Sequence, residues 1–338
     1  MIIFKKILKF LGKTLLVVFA LATVVLIYFN IPVTKKNDDA KLGVTFSVRY
    51  SREIGLDPKA VLDAALTDLN IKKIRIPAYW DSVEPELGKF DYSDLDWQLQ
   101  DAREHGAEVI LAIGQKVPRW PECFIPGYLK DDDEKRKSEL LVFIQKTIER
   151  YKDDPEIRYW QIENEPFLNF GVCPAPDANL LDREIAVARA TDPTRKIIVT
   201  DSGELSLWVN AAKRADIFGT TMYRNIYSEK FGYYTYPIGP RFFIAKYWLS
   251  RILTRQKNAI IVELQAEPWI KGYTTNAPLS EQFKSMNPGQ LEKNVEYAKE
   301  VGFPEIYLWG VEWWYWLKDK QGDARMWDTA QKIFAMHE

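Results

Sequence analysis

Two glutamates that follow short apolar runs are the residues of this chain best placed to do chemistry. The run Ile157–Ile162 continues into an Asn-Glu-Pro tripeptide whose glutamate is Glu165, and the run 259–262 leads directly into Glu263. Two carboxyl groups can cleave a glycosidic bond, because one protonates the departing oxygen while the other attacks or stabilises the anomeric carbon. The pair therefore indicates glycosidic cleavage, provided that the fold brings the two side chains together.

The elements that have to position this pair alternate regularly along the chain. Eight short apolar runs, predicted as strands, lie at 44–48, 71–76, 108–113, 157–162, 196–200, 217–222, 259–264 and 305–309. Amphipathic segments follow most of them, and the clearest helices are predicted at 58–69, 95–104, 134–151, 178–190, 242–256 and 288–301. This alternation is typical of βα units around a parallel sheet. Eight units, with no GxGxxG turn after the first strand, favour an α/β fold of the (β/α)8 TIM barrel type over an open doubly wound sheet.

A barrel of this type collects its catalytic groups at the carboxyl ends of the strands. Glu165 follows the fourth predicted strand and Glu263 ends the seventh, so we expect both at the barrel mouth. A general acid needs a pKa raised by apolar enclosure or a neighbouring anion, whereas a nucleophile stays ionised through hydrogen bonds and positive charge. The sequence thus predicts different surroundings for the two glutamates.

The motif positions resemble those of the clan A retaining glycoside hydrolases, which include cellulase-like, mannanase-like and β-galactosidase-like barrels. An Asn-Glu-Pro ends strand four and a glutamate ends strand seven in that superfamily. The second unit of this chain is also similar, with Arg-Ile-Pro-Ala-Tyr-Trp at 75–80 and Val-Glu-Pro at 83–85. The resemblance spans nearly all of residues 41–338.

The resemblance implies roles for four further residues. Arg75 would lie beneath the catalytic centre and help to hold Glu263 ionised, and Asn164 would bind the substrate 2-hydroxyl. Tyr223 would hydrogen-bond the nucleophile, and Trp309 would form the apolar floor under the reacting sugar. The alternatives are a structural ion pair for the arginine and ordinary core packing for the two aromatic side chains.

The chain departs from the cellulase-like pattern in its histidines. Such members commonly carry histidines near strands three and six, where this chain has Gln115 and Thr221. The family within the clan therefore stays open. Glu267 is a rival nucleophile, but it lies four residues beyond Glu263, the first carboxylate at the end of strand seven.

Aromatic residues near the strand ends are further candidates for sugar binding, because sugar rings stack on aromatic faces. Trp309 is followed closely by Glu312, Trp313, Trp314 and Trp316, and we expect this segment to contribute subsites, with Glu312 and Trp313 in contact with substrate. Trp80 and Trp120 follow strands two and three and are expected as further platforms, with closure of the core as the alternative. The tyrosine-rich segment 224–240 is expected to cover the substrate, and Glu84 is interpreted as structural.

Two cysteines, Cys123 and Cys173, follow strands three and four and so belong to adjacent loops on the catalytic face. A disulfide between them is expected if the barrel lies outside the cytoplasm. The alternative is two separate buried thiols. The sequence offers neither CxxC nor HxxxH spacing, and its two histidines are His105 and His337, so no metal site and no cofactor are predicted.

The N-terminus is predicted to be a membrane anchor. Residues 1–13 form a basic tail, residues 14–34 an uncharged transmembrane signal anchor, residues 35–40 a polar linker and residues 41–338 the barrel. Positive residues flank cytoplasmic ends of spans, so we expect a single-pass membrane protein with an extracytoplasmic barrel. Secretion after cleavage of a signal peptide is the alternative.

Composition narrows the partners of the chain. A formal net charge of −1 gives no electrostatic footprint of a nucleic-acid binder, and 12 Trp residues are compatible with a carbohydrate partner. The leading hypothesis is a retaining glycoside hydrolase that cleaves β-glycosidic bonds of an oligo- or polysaccharide. The rivals are a non-catalytic, membrane-tethered carbohydrate-binding barrel and an inverting hydrolase, whose carboxyl groups would lie about 6.5 to 9.5 Å apart rather than about 5 to 5.5 Å. The sequence specifies neither the sugar, nor endo or exo cleavage, nor the oligomeric state.

Overall fold

The structure is a computed structural model that describes residues 2–336. Met1, His337 and Glu338 lie outside the described residues. The side chains of residues 2, 3 and 5–8, which include Lys5 and Lys6 of the predicted basic tail, are outside the description as well.

Eight parallel strands close into a barrel, which confirms the predicted fold class. Around the barrel the strands follow the order β1-β10-β9-β6-β5-β4-β3-β2, and β7 and β8 form a separate hairpin. The barrel strands are β1 (Lys41–Thr45), β2 (Lys73–Tyr79), β3 (Glu108–Gly114), β4 (Ile157–Ile162), β5 (Lys196–Asp201), β6 (Ile217–Met222), β9 (Ala259–Gln265) and β10 (Glu305–Trp309). The hairpin strands are β7 (Asn225–Ser228) and β8 (Gly232–Thr235).

Helices surround the barrel, and several begin at the side-chain caps that their sequences provide. Asp57, Asp132, Asp177 and Asn287 each accept a hydrogen bond from a backbone N–H of the first helical turn. The helices are α1 (Ile2–Asn30), α2 (Val48–Glu53), α3 (Pro58–Thr67), α4 (Trp80–Val83), α5 (Ser93–Glu104), α6 (Asp133–Tyr151), α7 (Ala178–Thr191), α8 (Val209–Ala212), α9 (Arg241–Thr254), α10 (Leu279–Gln282), α11 (Pro288–Val301), α12 (Val311–Gln321) and α13 (Arg325–Ala335).

The apolar core has two parts, as the alternation of side chains along each strand requires. The larger part fills the layer between the strands and the helices. The smaller part fills the inside of the barrel with Ile110, Ile198, Ile217, Ile260, Val262 and Tyr307. Nearer the strand ends the buried side chains become polar, with Arg75, Gln161 and Thr200 all inaccessible to solvent. This polar layer supports the barrel mouth.

An irregularity in β9 turns Glu263 towards the inside of the barrel. Val262 packs inside the barrel, so strict alternation would turn the next residue, Glu263, outwards and Leu264 inwards. Leu264 instead packs in the outer layer. The register with β6 passes from Ile261 directly to Glu263. Such a β-bulge adds one residue and re-aims a side chain. It allows Glu263 to reach Arg75 on β2.

The N-terminal helix α1 stands apart from the barrel core. Of the described helices, this one is long and apolar enough to cross a bilayer, over Lys9–Asn30 with a mean hydropathy of 2.4, although a signal sequence passes the same test. None of that stretch is buried inside the protein. The end of α1 contacts the start of α9, where the rings of Phe29 and Phe242 lie 5.3 Å apart.

The segment that joins α1 to β1 is held against the barrel wall. Arg241 donates a hydrogen bond to the carbonyl of Ile31 at 2.9 Å. Lys36 pairs with Glu296 on α11 at 2.6 Å, and Asp38 pairs with Lys299 at 2.9 Å. The predicted linker 35–40 is therefore polar and also attached to α11 along its length.

Candidate active site

A strained turn at the end of β4 presents Glu165. Glu163 and Glu165 have φ values of 59° and 45°, in the left-handed region that residues other than glycine rarely adopt. The Glu163 carboxylate holds the turn by accepting the backbone N–H groups of Gln115 and Lys116, each at 2.8 Å. A Cβ at Gly114 would lie 2.5 Å from Oε1 of Glu163, so β3 has to end in glycine there. Glu163 thus holds the turn in place, and Glu165 projects from this turn into the barrel mouth.

Glu165 has the surroundings expected of a general acid. Its side chain is buried, and Oε1 accepts a hydrogen bond of 2.9 Å from the hydroxyl of Thr221. Its backbone N–H donates to the Thr200 hydroxyl at 2.8 Å. Burial, followed by the negative charges of Glu263 and Glu122, holds the pKa of Glu165 well above its usual range. A raised pKa of this kind is what a general acid requires.

Glu263 has the opposite surroundings. Oε1 accepts a hydrogen bond of 2.7 Å from the guanidinium of Arg75, and Oε2 accepts one of 3.0 Å from the hydroxyl of Tyr223. The guanidinium is fully buried, so this ion pair is little screened by water. One charged donor and one neutral donor hold the two oxygens of the carboxylate in place.

Arg75 also orients Asn164. The guanidinium donates to Oδ1 of Asn164 at 2.7 Å and to Oε1 of Gln161 at 2.7 Å. The Thr200 hydroxyl donates to the same Oδ1 at 3.2 Å. With the amide oxygen of Asn164 engaged in this way, its NH2 group is the part of the amide that can still donate, and the Glu122 carboxyl group lies within its reach.

Trp309 lies in a charged cluster beside this pair. Its indole Nε1–H donates to Glu267 at 2.7 Å, and the guanidinium of Arg119 lies 4.1 Å from the ring centroid. Arg119 stacks on Tyr50 with its other face, at 3.9 Å, and pairs with Glu267. Glu267 is therefore engaged by a cation and an indole, without the tyrosine contact that Glu263 receives. One face of the Trp309 ring is covered by the arginine, and the residue as a whole is 7% exposed.

Glu312 lies behind this cluster instead of contacting substrate. It is fully buried, and it accepts hydrogen bonds from Arg119, at 2.7 Å, and from the backbone N–H of Ser47. The expectation that Glu312 binds substrate is corrected, because both carboxylate oxygens are engaged by the protein. Its carboxylate holds Arg119 against Trp309.

Two of the tryptophans expected at the mouth belong to the core. Trp80 is fully buried, donates to Glu84 at 2.9 Å and stacks on Phe143 with ring centroids 5.6 Å apart. Trp313 is fully buried and donates to Gln282 at 2.7 Å. The expectation of sugar contacts at these two positions is corrected, since neither ring offers a free face. The segment after Trp309 is the helix α12 and not a loop, and its helical period turns these tryptophans inwards.

A line of aromatic side chains leads from the catalytic pair to solvent. Trp269 lies 5.2 Å from Tyr223, Phe170 lies 6.4 Å from Trp269, and Trp120 lies 6.3 Å from Phe170, all between ring centroids. The outermost ring, Trp120, is 56% exposed. Trp120 was predicted as a platform from the sequence, whereas Trp269 and Phe170 were missed. Their signal was position, because each follows a catalytic strand within a few residues.

Glu122 is a third carboxyl group at the site, and no pattern in the sequence pointed to it. Its Oε2 is buried and has no hydrogen-bond partner among the described residues, and its side chain lies beside Asn164. Burial, followed by the charge of Glu263, raises the pKa of Glu122 to about 8. Its backbone φ of 76° is a left-handed conformation in a loop that approaches Gly171 closely. Only this folding of the loop brings Glu122 to the mouth, and no motif announces it.

A disulfide bond joins Cys123 and Cys173, across 50 positions of the chain. It links the loop that carries Glu122 to the loop after Glu165.

The segment 224–240, expected to cover the substrate, contains the hairpin β7–β8, in which the rings of Tyr227 and Tyr233 lie 5.1 Å apart. Of the two residues found in place of histidines, Thr221 contacts Glu165, whereas the Gln115 side chain turns away to Arg136.

The family comparison identifies what this chain is similar to along most of its length. The model of a family described as cellulase (glycosyl hydrolase family 5) matches residues 38–307. A curated relative, a β-galactosidase of Halorubrum lacusprofundi, is 25% identical over 121 residues, which cover 30% of this chain and 17% of the relative. The family match confirms the expected membership of clan A.

Solved structures show the same fold at low sequence identity. A cold-adapted β-galactosidase from Rahnella sp. R3 superposes with a TM-score of 0.62 at 13% identity, over 88% of this chain and 55% of that one. The β-galactosidase from Halorubrum lacusprofundi gives 0.59 at 15%, over 87% and 58%. A GH5_18 protein from Streptomyces cattleya, solved with GlcNAc, gives 0.57 at 13%, over 80% and 70%. The chain thus spans little more than half the length of the two β-galactosidases.

Proposed function

Because this chain belongs to the cellulase family, glycosyl hydrolase family 5, we propose that it hydrolyses β-glycosidic bonds of an oligo- or polysaccharide with retention of anomeric configuration. The observation that carries the proposal is the contrast between the two glutamates. Glu263 accepts hydrogen bonds from Arg75 and Tyr223. Glu165 is buried, accepts a hydrogen bond from one hydroxyl group and has a raised pKa. Such a contrast assigns the nucleophile and the acid in this chemistry.

The first step of the proposed reaction forms a glycosyl-enzyme ester. An oxygen of Glu263 attacks the anomeric carbon as the bond to the leaving oxygen breaks, and Glu165 gives its proton to that oxygen. Arg75 and Tyr223 hold the attacking carboxylate in one orientation. Each oxygen of the carboxylate has a second lone pair, so attack does not require the loss of both contacts.

The second step returns the enzyme to its starting state. Glu165, now ionised, takes a proton from water, and the resulting hydroxide oxygen attacks the anomeric carbon from the face that the leaving group left. The ester bond to Glu263 breaks, and its carboxylate is released. Two inversions give net retention. No step in this sequence draws on a metal or an organic cofactor.

Asn164 and the aromatic side chains are the proposed substrate contacts. The NH2 group of Asn164 donates to the sugar 2-hydroxyl, a contact that strengthens in an oxocarbenium-like transition state. The face of Trp309 that Arg119 does not cover is proposed as the floor of the reacting subsite. Trp269, Phe170 and Trp120 receive the neighbouring sugar units, since their rings form a continuous line towards solvent.

Hydrolysis with retention is tested by following the first-formed product. Full-length protein in detergent is incubated with a panel of aryl β-glycosides and β-linked oligosaccharides, and ¹H NMR identifies the anomer released before mutarotation. The proposal predicts the β anomer first. An α anomer first would indicate inversion, and the absence of hydrolysis across the panel would support the non-catalytic carbohydrate-binding barrel instead.

For the N-terminus we propose the membrane-anchor arrangement predicted from the sequence, with a tail at 1–13, a span at 14–34, a linker at 35–40 and an extracytoplasmic barrel at 41–338. Support comes from the exposed apolar surface of α1 and from the lysines among the first 13 residues of the sequence. Cleavage as a signal peptide is the competing outcome. The two are separated by N-terminal sequencing of the mature protein and by flotation of the membrane fraction.

A further inference from the structure

Helix α9 carries an exposed apolar stripe that the proposed reaction does not use. Trp248, Leu249, Ile252 and Leu253 are 51%, 50%, 74% and 60% exposed. At about 100° per residue these four positions cover an arc of roughly 140° on one side of the helix. Adjacent exposed apolar side chains of this size mark a contact surface and not a solvated helix face.

The stripe is continuous with the end of the proposed membrane span. Phe242 lies about one and a half turns before Trp248, within the same arc of the helix. Its ring packs edge-on against Phe29 at the end of α1. The Asn30 side chain donates to the carbonyl of Pro237 at 3.1 Å, and a Cβ at Gly239 would lie 2.3 Å from the Phe29 carbonyl. These contacts fix the point at which α1 leaves the bilayer next to the start of α9.

The positive charge around the apolar stripe of α9 favours a lipid surface as the partner that covers it. Between Glu229 and Glu263 the sequence contains no acidic residue, while it contains two lysines and three arginines within 241–257. Arg251 lies over the ring of Trp248 at 4.9 Å, at the border of the stripe, and Arg255 is exposed at the helix end. An apolar face bordered by arginines and a tryptophan is typical of a helix that lies in the headgroup region of an anionic membrane.

The neighbouring loop extends the apolar surface. Leu205 and Leu207 are 68% and 80% exposed. Their loop is attached to α9, because Lys246 donates to the carbonyl of Gly203 and lies over the ring of Trp208 at 4.3 Å. Two elements therefore present large apolar side chains on the side of the barrel where α1 ends.

We propose that the exposed face of α9 is a second membrane contact, which rests on the anionic bilayer surface beside α1 and orients the barrel. The inference depends on the proposed anchor. Barrel helices run antiparallel to the strands, so α9 in the membrane plane lays the barrel on its side, with its mouth opening along the bilayer. The arginines add electrostatic attraction at an anionic surface.

A depth-sensitive label tests this contact in the full-length protein. Ile252→Cys and the control Gln100→Cys, which is exposed on α5 at the far side of the barrel, are each labelled with a nitrobenzoxadiazole fluorophore. Both variants are reconstituted into phosphatidylcholine–phosphatidylglycerol vesicles and recovered by flotation. Spin-labelled lipid and aqueous iodide are then compared as quenchers. Both substitutions are on the surface, and circular dichroism checks that the fold is kept.

The proposal predicts that lipid quenches the label at 252 at least threefold more strongly than the label at 100, with iodide showing the reverse order. Equal access of iodide to both labels in a floating protein overturns the α9 contact and leaves the anchor intact. A label at 252 that neither quencher reaches means that protein, such as a second copy, covers the face, and it also overturns the proposal. A full-length chain that does not float overturns the anchor and the α9 contact together.

Discussion

The hydroxyl of Thr221 donates a hydrogen bond of 2.9 Å to Oε1 of Glu165, across the gap between β6 and the end of β4. The backbone of the same threonine is in register with Glu263 on β9. One residue therefore adjoins both members of the proposed catalytic pair. Its side chain sets the position of the acid, and its strand supports the nucleophile.

Replacement of Thr221 by valine is predicted to move the pH profile upwards. The threonine hydroxyl lowers the pKa of Glu165, against the larger raising effects of burial and of Glu263. Without it the pKa rises further, so the alkaline limb of kcat/KM moves to higher pH by about one unit, equivalent to about 1.4 kcal/mol. Thr220→Val is the matched control, because among the described residues the Thr220 hydroxyl donates to the carbonyl of Thr221 and to neither glutamate of the pair. An alkaline limb that stays in place or falls would refute this role.

Glu122→Gln is predicted to move the same limb in the opposite direction. The negative charge of Glu122 raises the pKa of Glu165, and the amide removes that charge with little change in volume. Glu122, whose own pKa is raised to about 8, carries this negative charge as pH rises through that value. We expect a downward shift of about half a unit in kcat/KM profiles, and an upward shift would contradict the account.

Tyr223→Phe removes the neutral donor to Glu263 and keeps the ring against Trp269. Hydrogen bonds to charged groups contribute about 1.5 to 3 kcal/mol, so kcat/KM should fall by about 10- to 160-fold. Tyr227→Phe, in the neighbouring hairpin, provides the control, since its ring contacts Tyr233 and not the catalytic pair. Equal losses in the two variants would mean that the tyrosine acts through loop stability alone.

Much of the barrel was predictable because its strands are short, apolar and evenly spaced. β4, β6 and β10 begin and end at the predicted residues. The first strand was predicted at 44–48 but lies at Lys41–Thr45. The reason is that Ser47 caps α2 by accepting the N–H of Tyr50, so the run 44–48 contains both the end of the strand and the start of the helix.

The site was predictable where strand ends determine it, and not where distant loops meet. Arg75 and Tyr223 lie against Glu263, as the resemblance implied. The stacking of Arg119 between Tyr50 and Trp309 depends on three separate segments of the chain. Periodicity could not tell which tryptophans after Trp309 face inwards, because a helix start and a loop look alike over five residues.

Beneath the site, Glu184→Gln is predicted to flatten the dependence of stability on pH. Burial and then the charge of Glu163 raise the pKa of Glu184 well above its usual value, and Glu163 itself is raised to about 7, by burial first. A carboxyl group whose pKa is raised on folding stabilises the folded protein fully below its pKa in the unfolded chain, which is about 4.5. This stabilisation is lost as pH rises through the pKa that the group has in the folded protein. The amide mimics the protonated acid, so this loss disappears.

Thermal unfolding between pH 5 and pH 9 measures that effect. The wild-type unfolding temperature should fall more steeply over this range than that of Glu184→Gln. The corresponding slopes of the free energy of unfolding should differ by up to about 1.4 kcal/mol per pH unit while the carboxyl group titrates. Glu149→Gln, an exposed residue on α6, serves as control and should follow the wild type. Parallel curves for all three proteins would exclude proton binding by this buried pair as a source of stability.

The measurement that tests the central assignment most directly is the stereochemistry of azide products. Glu263→Ala and Glu165→Ala are each incubated with azide and an aryl β-glycoside that the wild type cleaves. In Glu263→Ala azide replaces the nucleophile in a single displacement, so the account predicts an α-glycosyl azide. In Glu165→Ala azide attacks the ester on Glu263, which predicts a β-glycosyl azide. An α-azide from Glu267→Ala, with none from Glu263→Ala, would contradict the account.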